Sequence, residues 1–248
     1  MSLLVSKQLT RGMVQPMVRG SSVFTPASVP GISDYWINTD LTRLWTTSAL
    51  STKVSAAGDP VGGWRGQLDV RTLTQATAGT RPQYELDGIL FDSRAAFKAI
   101  TLDVPLGAND PFFLWIRQDA SSAKSCDFGQ SVGTAGIRSG IAGTAAVAGY
   151  RALVKYDGTL GFNDTGSSIT GDRFNAVWYD GTNGYAMNDA GVVGSAVAGT
   201  NASAITRLWI NALLSSAAVS KVKNMGFGTS AVTSAVAEQV RQWSKSRP

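Results

Sequence analysis

"TRPQYELDGILFD", residues 80–92, sets an Asp-Gly pair between two short runs of strand-forming residues. Tyr84 and Leu86 fall on one parity, Ile89 and Phe91 on the other. The phase slips by one across Asp87-Gly88. That happens when a two-residue turn reverses the chain, and Asp-Gly is a favoured type I′ hairpin pair. The stretch therefore predicts a hairpin with arms 81–86 and 89–93. Asp87 is its turn residue rather than a ligand, and Pro82 sits near an outer end, where a missing N–H is tolerated.

The same grammar recurs down the chain. "AITLDVPLG" (99–107) alternates Ile100, Leu102, Val104 and Leu106 against polar or turn residues, the period of a half-buried strand. "PFFLWIRQ" (111–118) is apolar on both parities from Phe112 to Ile116, as a central strand covered on both faces would be. "YRALVKYDG" alternates and stops at Asp157-Gly158. "FNAVWYDGTNGYAMNDAGVVGSAV" (174–197) gives three strand pieces parted by "DGTNG" and "NDAG". Gly takes positive φ in such loops, and Asn and Asp bond their own backbone. Short strands at this spacing predict an all-β, antiparallel sandwich or barrel.

One helix is expected, over 229–246. In "TSAVTSAVAEQVRQWSKSRP" the residues Val232, Val236, Val240 and Trp243 make a single apolar stripe. Arg241, Lys245 and Arg247 suit the negative end of the helix dipole. The helix is expected to close an edge or a face of the sandwich.

The chain divides near residue 33. Residues 1–33 contain no acid, and Pro16, Pro26 and Pro30 break any long helix. The segment reads as an extended N-terminal arm, with 34–248 as the domain. Lys7, Leu9, Arg11, Met13, Val14, Met17 and Arg19 are the candidates for docking it on a partner subunit or another protein.

Composition narrows the function. The chain has 248 residues, 44% of them hydrophobic, and can bury a substantial core. No apolar run reaches the roughly 18 residues of a membrane span. The first twenty residues lack the apolar stretch of a secretory signal. Cys126 is the only cysteine, so no intramolecular disulfide forms. The net charge of +5 is spread out, without a basic run interleaved with aromatics, so neither nucleic acid nor membrane is an expected partner.

Three passages carry a family resemblance. They are "VSAAGDPVGGWRGQLDVRTLTQATAGTRPQYELDGILFD" (54–92), "AVWYDGTNGYAMNDAGVVG" (176–194) and "VKNMGFGTSAVTSAVAEQVRQW" (222–243). In that order they resemble the concanavalin A-like or laminin-G-like jelly roll found in bacteriophage virion proteins. The resemblance implies an antiparallel jelly-roll sandwich and a virion location. It further implies a structural role decorating the capsid or attached to the neck or tail, with the jelly roll outward. An arm-exchanged homo-oligomer, with a trimer favoured, is the expected assembly. The alternative is a carbohydrate-binding module that meets host-surface glycans.

Each candidate site competes with a plainer role. "GQSVG" around Ser131 matches a nucleophile elbow, but the chain has no histidine to serve as its base. Glycosidases need two carboxylates flanking the sugar bond. The only glutamates are Glu85 and Glu238, and Asp87 is assigned to a turn. The expectation is that the chain is not an enzyme and needs no cofactor. Calcium is the one metal weighed, at Asn109-Asp110, Asn163-Asp164 and Asn188-Asp189, although each pair also makes a sound turn. For carbohydrate, Tyr179, Asp180, Asn183 and Tyr185 around the "YDGTNG" turn form the expected aromatic and polar platform.

Overall fold

The computed structural model describes residues 24–92, 96–107, 110–120, 126–132, 135–139, 151–156, 160–164, 171–194, 197–198, 205–212 and 220–248. The expected docking residues Lys7, Leu9, Arg11, Met13, Val14, Met17 and Arg19 lie outside the described residues, as does Asn109. What is described is an all-β sandwich: antiparallel sheets and one short C-terminal helix.

The larger sheet has eight strands. Its main path runs Val197–Ala198, Asn183–Met187, Gly171–Tyr179, Phe112–Ala120, Ser220–Gly228, Gly88–Phe91 and Gln83–Glu85. Ile32–Ile37 joins the free half of Ser220–Gly228, so Trp36 faces Met225 where Ile89 faces Val222 further along. The second sheet runs Leu160–Asp164, Arg151–Tyr156, Ala135–Ser139, Cys126–Val132, Ile205–Ala212 and Ala96–Leu106. A third, small sheet joins Leu44–Trp45, Gly63–Arg65 and Thr72–Thr74.

The run expected to be apolar on both parities is the middle of the larger sheet. Phe112, Leu114 and Ile116 belong to the core that also holds Ile210 of the second sheet. Phe113 and Trp115 belong to a separate cluster with Ala237, Val240 and Trp243 of the helix. Both faces are covered, so both parities are apolar. Trp115 lies against Gly226 on the neighbouring strand, where an added Cβ would meet its ring at 1.9 Å.

The helix spans Ser234–Lys245, shorter than expected. Thr233 caps it by accepting the Val236 N–H at 3.3 Å, and an N-cap fixes where the helix starts. Val232 therefore precedes the helix and is only half-buried, as is Val236. The buried stripe is Ala237, Val240, Trp243 and Ser244. Residues counted with the arm also pack on this face: Val29 is buried and Phe24 lies against the cluster, beside the short turn Pro26–Ser28.

The opening hairpin forms with a different tip. Tyr84 pairs with Ile89 and Glu85 with Gly88, so the two turn residues are Leu86-Asp87. Leu86, expected on the core parity with Tyr84, is 78% exposed. None of Leu86, Asp87 and Gly88 has positive φ, so the turn is not type I′. Gly88 serves close approach instead: a Cβ there would meet Lys221 Cβ at 2.8 Å. Asp87 is a turn residue, as expected, and its carboxylate binds Lys221 Nζ at 2.9 Å.

Two polar devices fix the small sheet. Trp36 Nε1 donates to the Trp64 carbonyl at 3.1 Å, and Trp64 Nε1 to that of Ile37 at 3.3 Å. Asp34 is fully buried, and its carboxylate accepts the backbone N–H groups of Tyr35, Leu68 and Arg71 at 2.8–2.9 Å. Burial pushes the Asp34 carboxyl above its ordinary value, against the pull of those amides.

The helix contributes to stability through its buried stripe. Trp243→Ala removes an aromatic packed edge-on against Tyr35 at 5.5 Å and is expected to cost about 3–5 kcal/mol. Lys245 is half-exposed and paired with Asp189 at 2.7 Å, so Lys245→Ala is expected to cost no more than about 1 kcal/mol. Paired thermal or urea unfolding curves check the contrast.

Candidate functional site

The hairpin of Gly171–Tyr179 and Asn183–Met187 carries the expected platform. Strand alternation divides its aromatics. Val177 and Tyr179 point into the core between the sheets, and Ala176 and Trp178 lie on the helix-covered face. Tyr179 is 2% exposed and its ring stacks on Phe112 with centroids 6.0 Å apart. It is a core residue and offers no ring face to a ligand. The other three expected residues do come together.

The turn holds them. Asp180 N donates to the Asn183 carbonyl at 3.1 Å, and Gly181 supplies the positive φ of 99° that the reversal needs. Asp180 Oδ1 accepts the N–H groups of Thr182 and Asn183 at 2.8 and 2.7 Å. Its other oxygen accepts the Tyr185 hydroxyl at 3.1 Å. The bond from the Asn183 backbone, then that from Thr182, holds the Asp180 carboxyl below its ordinary value. The bond to Asp180 raises the Tyr185 hydroxyl above its own.

Tyr185 stands opposite Trp178 in the ladder, and the rings stack at 5.3 Å with 15° between their planes. Trp178 is buried, while Tyr185 is only half-buried and Asp180 is exposed. The result is a supported aromatic ring at the sheet surface, with a fixed carboxylate and the Asn183 amide beside it. Sequence reading missed that Trp178, not Tyr179, completes the stack. The cross-strand register across a four-residue turn was the signal.

A second concavity, of about 240 Å³, lies between the turn Ala78–Thr80 and the hairpin of Gln83–Glu85 and Gly88–Phe91. Pro60, Arg81, Gln83, Leu90 and Asp92 line it. Arg81 is held there by the carbonyls of Gln75 and Ala76 at 3.1 and 3.0 Å. No sequence pattern marked it, because its residues meet only when that hairpin folds back toward the turn.

The calcium candidates are otherwise engaged where they are described. Asp110 accepts the Gly107 N–H at 2.7 Å. Asn163-Asp164 lies in the strand Leu160–Asp164, paired with Ala152 and Arg151, and not in a loop. Asn188 Oδ1 accepts the N–H groups of Ala190 and Val192, and Asp189 binds the Phe174 N–H and Lys245. Among the described residues no group of three or more His, Cys, Asp or Glu could hold a metal, and no helix is long and apolar enough to cross a membrane. Ser131 lies within the strand Cys126–Val132, opposite Gly136, rather than on a strand-turn-helix elbow. Glu238 is bound by Arg241 at 2.6 Å and by Gln242 at 2.9 Å.

No family model and no curated protein matches the sequence. Solved structures share the fold. One is the Trypanosoma rangeli sialidase in complex with 2,3-difluorosialic acid, a covalent intermediate. It has 12% identity and a TM-score of 0.53, over 87% of this chain and 33% of the sialidase. Another is a mutant GH54 α-L-arabinofuranosidase soaked with 4-nitrophenyl α-L-arabinofuranoside. It has 14% identity and a TM-score of 0.53, over 74% of this chain and 50% of that one. The chain thus spans about a third to a half of these proteins' length.

This finding corrects the expectation that the chain is not an enzyme. That exclusion rested on the missing histidine and on the lack of a usable carboxylate pair, yet the sialidase and the arabinofuranosidase that share its fold are glycoside hydrolases.

The Asp180–Tyr185 bond has a spectroscopic signature. In Asp180→Ala the raised Tyr185 hydroxyl is expected to titrate at lower pH, toward the ordinary tyrosine value near 10. Tyrosine-selective NMR titration, with Tyr185→Phe to assign the signal, measures the shift.

Proposed function

We propose that this chain is a carbohydrate-recognising sandwich of the concanavalin A-like jelly-roll class. Tyr185 is its sugar-contacting ring, and Asp180 and Asn183 are its polar partners. The observation that carries the reading is the Tyr185 ring backed by Trp178 and locked at its hydroxyl by Asp180. A half-exposed aromatic on a rigid support stacks on a pyranose face at little entropic cost, and adjacent acceptors and amides fix its orientation. The fold's occurrence in proteins soaked with or bound to sialic acid derivatives and arabinofuranosides supports it.

Glycan-array screening followed by calorimetric titration tests the proposal. Tyr185→Ala is expected to weaken binding at least tenfold. Leu86→Ala, at the exposed tip of the other hairpin, is expected to leave it unchanged. Equal affinity in both variants, or no bound glycan, overturns the proposal. Following cleavage of the bound glycan in the same samples decides whether recognition is coupled to hydrolysis.

A second reading concerns the setting. The order of the three phage-like passages and the acid-free segment 1–33 support a bacteriophage virion protein. In that reading the N-terminal segment docks on the capsid, neck or tail, and the sandwich faces outward. Because Phe24 and Val29 pack with the body of the fold, the informative deletion is residues 2–23. The truncated chain is expected to stay folded and to be lost from particles. Incorporation at normal occupancy places the anchor elsewhere.

A further inference from the structure

We infer that the cleft at the end of the C-terminal helix is a second sugar subsite, selective for a carboxylate-bearing residue. The inference rests on the carbohydrate reading above. Phe24, Gln239, Gln242, Trp243, Ser246 and Arg247 line this cleft of about 360 Å³, a volume suited to a small ligand.

The charge in it is unspent. Arg241 is bound to Glu238 and Lys245 to Asp189. Arg247, one turn on, forms no ion pair among the described residues, and its guanidinium lies 5.3 Å from the Trp243 ring centroid. Behind the lining, Arg247 Nε and Trp243 Nε1 are buried without an acceptor. Buried donors normally find partners, because leaving one unmade is costly. No acid is among the lining residues.

These features specify the ligand class. A planar guanidinium takes a carboxylate through two parallel hydrogen bonds. Half-buried Phe24 supplies an apolar ring face for a pyranose, while Trp243 is buried and backs the cleft. The Gln239 side chain is exposed and carries both a donor and an acceptor for hydroxyls. Ser246 Oγ already donates to the Trp243 carbonyl at 2.7 Å, so it meets a ligand as an acceptor. A neutral sugar would satisfy the hydroxyl partners and leave the guanidinium unpaired.

The test uses the full chain labelled with ¹⁵N, titrated with glucuronate, glucose and an acidic tripeptide. The readout is the indole N–H resonance of Trp243, assigned with Trp243→Phe. Glucuronate is expected to shift it, with at least tenfold weaker response to glucose. Arg247→Gln is expected to abolish the response and Gln239→Ala to weaken it about threefold, both with unchanged melting temperature. An unmoved resonance, an equal response to glucose, or tighter binding of the tripeptide overturns the subsite. If glycans still bind through Tyr185 in that case, only the subsite fails; if no saccharide binds by either readout, the carbohydrate reading fails with it.

Discussion

Arg117 is a charge set in the most apolar strand of the molecule, and the helix-covered face is organised around it. Its side chain is 6% exposed. Nε and Nη2 hold the two oxygens of Asp172 at 2.9 and 2.6 Å, and Nη1 donates to the carbonyls of Ser244 and Arg247 at 2.6 and 2.7 Å. A buried charge is tolerable only when paired and hydrogen-bonded. Here the acceptors come from the neighbouring strand, from Ser244 in the last turn of the helix and from Arg247 just beyond it. The Ser244 carbonyl lies at the negative pole of the helix, where it also accepts the Arg247 N–H at 3.3 Å and Asn224 Nδ2 at 3.4 Å. One side chain thus answers two needs: its own desolvation and the open end of the helix. Burial presses the Asp172 carboxyl upward, but Arg117, with Lys223, outweighs it and leaves the group lowered.

That arrangement explains why the larger sheet can be apolar on both faces. The second sheet covers one side, and the helix with residues 24–32 covers part of the other. Ser244 strengthens the attachment by donating to Asn224 Oδ1 at 2.6 Å. The covered face then continues sideways under the hairpin as far as Trp178, where Tyr185 takes over as its outermost ring. The candidate platform is therefore the rim of a core cluster, supported from beneath by the same packing that docks the helix.

How much of this was legible follows from the range of each interaction. Local periodicity marked Phe112–Ile116 as a doubly covered strand and placed the helix near the end of the chain. It also found the Asp180–Asn183 turn, because Asp and Gly act on their own backbone. It missed the tip at Leu86-Asp87, because the role of Gly88 is set by Lys221, more than a hundred residues away. Alternation alone could not say which of Trp178 and Tyr179 faces the core. That depends on which sheet face the second sheet covers. The calcium candidate at Asn163-Asp164 was read from composition as a loop, although both residues sit in a regular ladder.

The exclusion of an enzyme, from the missing histidine and the lack of a carboxylate pair, reached too far for a related reason. A missing histidine removes one kind of base, and counting carboxylates along a sequence does not show their roles, which are set by tertiary neighbours. Asp34 is enclosed by amides, Asp172 by Arg117 and Lys223, Glu238 by Arg241 and Gln242, and Asp87 by Lys221. Each is committed to a structural partner. Asp180 is different in kind. Its bonds are to its own turn and to Tyr185, so the carboxylate is rigid, ionised and at the surface. Where a chain commits this many acids to structure, one fixed at its surface by the hydroxyl of a half-exposed aromatic is the acid best placed to meet a ligand.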